Sequence, residues 1–176
     1  MTDFLTDVQT LRANARKEIE KGPITSAYGA DPQRVIRVCN DALATELVCT
    51  LRYRQHHFTA TGLNAEPVAA EFLEHAEQEQ HHADMLSARI MQLGGTPDYS
   101  PDTLTSRAHS EYQTAPGLRE MIKENLIAER IAIAAYSEII GWLGDGDPTT
   151  RRMFEEILST EEEHADDMLS LLEDLN

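Results

Sequence analysis

The chain reads as an all-α protein: four long helices in a bundle, one long crossover between the second and third, and an extra helix at the N-terminus. Three observations carry this. Aromatic residues make up only 6% of the 176 residues and strand-type runs of Val, Ile and Tyr are absent. Apolar residues recur at alternating steps of three and four over four long stretches. Proline and glycine punctuate those stretches where helices start and stop.

Taken in order, Phe4, Leu5, Val8, Leu11, Ala15 and Ile19 predict an amphipathic helix over residues 3–20, stopped by Gly22-Pro23. Residues 1–30 are set apart on this basis as N-terminal helix and linker, and residues 31–176 as the bundle. Asp31-Pro32 supplies an N-cap and a first-turn proline for a helix ending near Thr61-Gly62. The next starts by Pro67 and stops at Gly94-Gly95, the third opens after Pro116 and ends near Gly144, and the fourth runs from Asp147-Pro148 almost to the end. Short links make the first and second helices, and the third and fourth, antiparallel hairpins. The stretch from 94 to 116, with a short helix expected from Ser100, is long enough at ~3.3 Å per residue to cross the whole bundle.

The seams are not wholly apolar. They read Val35, Cys39, Ala42, Glu46, Cys49, Tyr53, His57; then Val68, Phe72, His75, Glu79, His82, Leu86; then Leu118, Ile122, Asn125, Glu129, Ala132, Tyr136, Ile139; then Met153, Ile157, Glu161, His164, Met168, Leu171. Each helix thus carries a mid-seam glutamate, and two add a histidine three residues on, in EQHH (79–82) and EEEH (161–164). One Glu-x-x-His is ordinary on a solvated helix face. Two of them, with two lone glutamates at matched spacing, are not. Glu46 to Glu129 is 83 residues and Glu79 to Glu161 is 82, while Tyr53 and Tyr136 each follow the lone glutamate by seven. The hairpins therefore look like copies about a pseudo-twofold axis. Four buried carboxylates cannot all stay ionised without cations, and no lysine or arginine lies on the seams at this layer. Two divalent metals balance four carboxylates and leave two imidazoles neutral, and such O/N donors suit iron, manganese or zinc.

The segments FLEHAEQEQHHAD, ENLIAERIAIAAYSEII and ILSTEEEHADDML resemble the ferritin superfamily, and most closely haem-free bacterioferritin-type and Dps-like mini-ferritins, from about residue 32 onward. The resemblance implies that Glu46 and His82 hold one iron, Glu129 and His164 the other, and Glu79 and Glu161 bridge the two. It places Tyr53 and Tyr136 against the ligand carboxylates, as core packing or as electron donors. His57 and His75 remain open between satisfied polar core and iron entry. The implied activity is a ferroxidase that oxidises Fe(II) with O2 or H2O2 and stores ferric mineral inside a homo-oligomeric shell; the alternative on the same bundle is a non-storing di-iron or di-manganese peroxidase, catalase or oxygenase.

Departures from the family pattern refine this. The position of the bacterioferritin haem-ligating methionine is Gln80, so no haem is expected. No fifth helix follows His164, which favours a shell of 12 built from dimers over one of 24. Thioferritin-type proteins carry a cysteine after the third-helix Glu-Arg; here Glu129-Arg130 precedes Ile131, and Cys39 and Cys49, ten helical residues apart, cannot pair. A net charge of −16 and a balanced N-terminal segment argue against DNA as a partner. The acidic N-terminus is no signal peptide and no apolar run could span a bilayer, so a cytoplasmic location and no membrane partner are expected.

Overall fold

The computed structural model describes residues 6–17 and 19–175. Six α-helices follow one another: α1 (Val8–Ala15), α2 (Pro32–Thr59), α3 (Ala65–Gln92), α4 (Leu104–Arg107), α5 (Leu118–Leu143) and α6 (Pro148–Asp174). The chain is all-helical among the described residues, with α2/α3 and α5/α6 forming the two closely packed hairpins. None of these helices is long and apolar enough to cross a membrane.

Helix ends follow local chemistry. Asp31 accepts from the Gln33 amide and Asp147 from the Thr150 amide, each ahead of a first-turn proline. Helix α3 begins two residues before Pro67, after Asn64 in the left-handed region at φ 65°. Asp147 does more than cap. Arg89 donates to both of its oxygens (2.9 and 3.0 Å), Tyr28 donates from its hydroxyl (2.7 Å), and the Thr150 hydroxyl adds a fourth bond. The linker before α2, the end of α3 and the start of α6 are thereby tied at one buried carboxylate. Gly29 crosses Gly146 there so closely that a Cβ would meet the Gly146 Cα at 3.2 Å.

The crossover lies along α2 rather than standing free. Arg107 donates to the Asn40 and Asp98 carbonyls, the His109 amide donates to the Thr45 hydroxyl, and Leu104 packs on Ala44 and Val48. The N-terminal helix is shorter than the sequence pattern predicts. It breaks at Arg16, gives way to a single 3-10 turn at Ile19–Lys21, and buries none of its residues, with Val8 58% and Ile19 79% exposed. With no core to fold against, so short a helix gains little from its apolar stripe. Asp3, Phe4, Leu5 and Glu18 lie outside the described residues. By contrast Ile24, Tyr28 and Ala30 pack onto the bundle core.

Candidate metal centre

Each long helix presents its mid-seam glutamate to the bundle interior, where Glu46, Glu79, Glu129 and Glu161 are all at most 1% exposed. A helix repeats its face after three or four residues, so His82 and His164 rise one turn beyond Glu79 and Glu161 on the same side. Two groups of donor atoms result. Glu46, Glu79, His82 and Glu161 form one, Glu79, Glu129, Glu161 and His164 the other, and within each the donor atoms lie no more than 4.8 Å apart.

The shared members are Glu79 and Glu161, and they face both ways. His82 Nδ1 lies 3.2 Å from Glu46 Oε2, 3.7 Å from Glu79 Oε2 and 3.1 Å from Glu161 Oε1. His164 Nδ1 lies 3.6 Å from Glu79 Oε1, 3.7 Å from Glu161 Oε2 and 4.0 Å from Glu129 Oε2. Each central carboxylate thus offers one oxygen to each imidazole. Glu79 Oε1, Glu129 Oε2, both Glu161 oxygens and His164 Nδ1 are buried without a hydrogen-bond partner. Convergent buried acceptors with nothing to accept from are what a cation would satisfy, and this donor set fits two divalent ions of the iron, manganese or zinc kind.

The titration behaviour has the same cause. Burial and then the neighbouring carboxylates push Glu46 and Glu129 well above the usual range. Burial would lower the imidazoles, but the carboxylates outweigh it: His164 is raised to about 11, through Glu161 and Glu79, and His82 is raised further. Burial also acts upward on Glu79, yet the adjacent His164 and His82 imidazoles hold it low. In the metal-free centre, protons on the imidazoles take the part of the missing positive charge.

Around the ligands the two tyrosines cross between hairpins. Tyr53 of α2 donates to Glu129 Oε1 of α5 at 2.5 Å, and Tyr136 of α5 donates to Glu46 Oε1 of α2. Both phenols are fully buried and pushed upward by burial and by the adjacent carboxylates, so they remain donors. Each lone glutamate therefore keeps one oxygen on a tyrosine and turns the other to the centre. His164 is held from behind by Gln78 Oε1, 2.5 Å from its Nε2, leaving Nδ1 toward the carboxylates.

All six sequence-predicted ligand candidates and both tyrosines meet in this one place. Other expectations need correcting. The first seam ends at His56, fully buried, not at His57, which is half-buried with Nδ1 at the Ala69 carbonyl; the last step along α2 is three residues, not four. Phe154, rather than Met153, is the fully buried residue at the start of the fourth seam. Arg52 was not foreseen. It is fully buried one turn from the centre, and its guanidinium bonds the Asn125 side-chain oxygen, the Glu111 carbonyl and the Cys49 sulfur instead of a ligand carboxylate. The signal lay in Asn125, a buried amide on an apolar seam that needs partners. Cys39 and Cys49 are free and buried, with burial raising Cys39 to about 12 and Cys49 well above its ordinary value.

A four-helix bundle with one crossover and two Glu-x-x-His helices facing two lone glutamates is the ferritin-like arrangement, with buried donor groups that could hold metal. The ferritin-like domain profile matches residues 38–176, and the chain belongs to that family. It is 29% identical to a bacterioferritin of Desulfovibrio desulfuricans over 132 residues, covering 74% of this chain and 70% of that one. It is 30% identical over 142 residues to a DNA protection during starvation protein of Pyrococcus furiosus, covering 77% and 75%. Among solved structures, a dodecameric thioferritin, the bacterioferritin-related protein of Bacteroides fragilis, superposes with a TM-score of 0.80 at 33% identity, covering 84% of this chain and 89% of that one.

Proposed function

We propose that the protein is a ferroxidase and iron-storage protein whose centre takes two Fe(II) ions per subunit as substrate. The observation that carries the reading is the pair of donor groups sharing Glu79 and Glu161, with buried acceptor atoms left open toward both positions. Glu46 and His82 would serve one ion, Glu129 and His164 the other, and Glu79 and Glu161 both. Two Fe(II) become two Fe(III), and the two electrons with two protons convert O2 to H2O2, or H2O2 to two waters. Carboxylates that change between one and two bonding oxygens match the rising charge, while Tyr53 and Tyr136 orient Glu129 and Glu46 and lie close enough to give an electron. Manganese or zinc would fit the same donors.

The similarity to a dodecameric bacterioferritin-related protein supports a shell of 12; assembly from dimers and a cytoplasmic location belong to the same reading. Haem has no part in this reading, since Gln80 stands at the position of the haem methionine and bonds Asp84 at 3.1 Å. DNA has none either: the net charge is −16.

Stepwise addition of Fe(II) to metal-free protein in air tests the reading, with ferric absorbance followed and iron measured across a size-exclusion column. The expected result is fast oxidation that saturates at two irons per subunit, then slower uptake of many more within a large particle. Saturation at two with nothing further retained would instead identify a redox enzyme that stores nothing. No fast phase would sink both.

A further inference from the structure

Beside the dimetal centre, on its Tyr53 side, lies a second constellation. His75 of α3 is 1% exposed, and its ring stacks on His164 at 3.9 Å between centroids and 19° between planes. Its Nδ1 lies 3.2 Å from the Tyr53 hydroxyl. That hydroxyl has already committed its proton to Glu129, so its oxygen accepts and the proton sits on His75 Nδ1. Its other ring nitrogen, Nε2, faces away from Tyr53. What faces it is Glu71 Oε1 at 3.3 Å and Asp167 Oδ2 at 3.5 Å, acceptors both. One buried imidazole nitrogen and two carboxylates thus converge, with one donor atom from each lying no more than 4.8 Å from the others.

The two-copy design of the bundle sharpens this. The offset of 82 from Glu79 to Glu161 carries Glu71 to Met153, His75 to Ile157 and Met85 to Asp167. At the opposite side of the centre the three equivalent positions are thus Ile157, buried in the apolar core, and Met153 and Met85, partly buried and packed against it. Helix packing alone is satisfied there without a single polar atom. The polar trio is an addition on one side only, and it opens to solvent: the side chains of Glu71 and Asp167 are 36% and 52% exposed.

We infer that Glu71, His75 and Asp167 form a third cation site, which captures a hydrated divalent metal ion at the surface and passes it to the His164 side of the dimetal centre. One imidazole nitrogen and two carboxylate oxygens suit Fe(II), Mn(II) or Zn(II), with water completing the shell from the open side. Glu74 and Glu163 lie close enough to act electrostatically on Asp167, so the approach is acidic. The stack of His75 on His164 makes the two sites neighbours. The capture site stands on its own geometry; its delivery role rests on the proposed ferroxidase reading.

Crystals of the full-length metal-free protein soaked in Zn(II), over a Mg(II) background that displaces loosely held ions, separate these claims by anomalous diffraction. Wild type is expected to show one peak at His75 Nε2 and two at Glu79/Glu161, and the double variant Glu71→Gln/Asp167→Asn only the latter two. Two central peaks and none at His75 in wild type would overturn the third site and leave the function intact. A His75 peak that survives in the variant would overturn the assigned ligands. A His75 peak without central peaks would keep the capture site and sink the ferroxidase reading with the delivery role. In stopped flow at limiting Fe(II), the variant should oxidise iron about tenfold more slowly while still saturating at two irons per subunit. An unchanged rate there would refute delivery.

Discussion

The two sides of the candidate metal centre lie on hairpins of matched spacing, yet they differ in kind. Tyr136 lies against Phe154 in a core cluster that includes Ala42, Ala132, Ile139 and Ile157, aliphatic and aromatic groups throughout. Around Tyr53 the neighbours include Arg52 and His75, with His56 and Asn125 beyond, all buried and joined by hydrogen bonds. Offsets of 83 between α2 and α5 pair Arg52 with Ala135, His56 with Ile139, and Ala42 with Asn125. The candidate ligands are arranged symmetrically and their surroundings are not. Buried polar groups cost stability relative to aliphatic ones unless fully satisfied, so the Tyr53 side carries a burden its twin avoids. The inferred capture site at Glu71, His75 and Asp167 gives that one-sided expense a use.

The largest effect should come from the elements both halves share. Glu79→Ala or Glu161→Ala removes a carboxylate from both donor groups and should abolish the fast phase of Fe(II) oxidation, with assembly judged by size exclusion unchanged. Glu46→Ala or Glu129→Ala should instead leave one position able to bind Zn(II). If all four variants behave alike in Zn(II) titration, the bridging assignment is wrong.

Next come the two tyrosines, which test the asymmetry directly. Tyr136→Phe strips Glu46 of its donor in a dry pocket, and Tyr53→Phe does the same to Glu129 while also removing the acceptor of His75 Nδ1. Loss of such an orienting bond weakens metal binding roughly 10–100-fold. The expected split is that each variant weakens one metal equivalent of the two, and that Tyr53→Phe alone disturbs the His75–His164 pair, read from imidazole resonances in the NMR spectrum. Equal disturbance by both would erase the distinction between the sides.

Phe154→Ala probes the apolar half. Phe154 is fully buried and tilted against Tyr136 with ring centroids 5.5 Å apart, so its truncation should lower unfolding free energy by ~3–5 kcal/mol in denaturant titration. A loss below ~1 kcal/mol would mean that this half is not the close-packed one.

How much of this was written in the residue pattern depends on the kind of information. Helix identity, the crossover and all six ligand candidates follow from a 3.6-residue period broken by acids, because each break is a buried charge that demands an explanation. The asymmetry does not follow, because it rests on residues flanking the seam. Arg52 sits beside Tyr53 in the run LRYR, where a helix of average geometry would put it at the seam's edge; only the packing of Asn125 and the crossover carbonyl of Glu111 draw it inside. His56 and His57 differ by one position, below the resolution of a 3/4 alternation. Asp167 joins Glu71 and His75 from another helix, a proximity no single-helix period contains. The N-terminal stripe failed for the opposite reason: its period was helical but nothing covers it.

The smallest expected effect concerns protons at the polar side. Burial, with Arg52 nearby, lowers His56 to about 4, although its bond to Asn125 works the other way. An unfolded histidine titrates near 6.5, so between about 6.5 and 4 the unfolded chain takes up a proton that the folded chain refuses. The linkage is therefore of one sign: this contribution leaves stability untouched above pH 6.5, erodes it as pH falls toward 4, and adds nothing further below that. His56→Asn should flatten that part of the decline in metal-free protein, whereas Ile139→Asn at the twin position, where there is no histidine to replace, should lower stability about equally at every pH in the window. Denaturant midpoints measured from pH 7 to pH 4.5 decide it. Parallel pH profiles for wild type and His56→Asn would show that the acid sensitivity of the fold lies elsewhere, and that the Tyr53 side tolerates a charged imidazole after all.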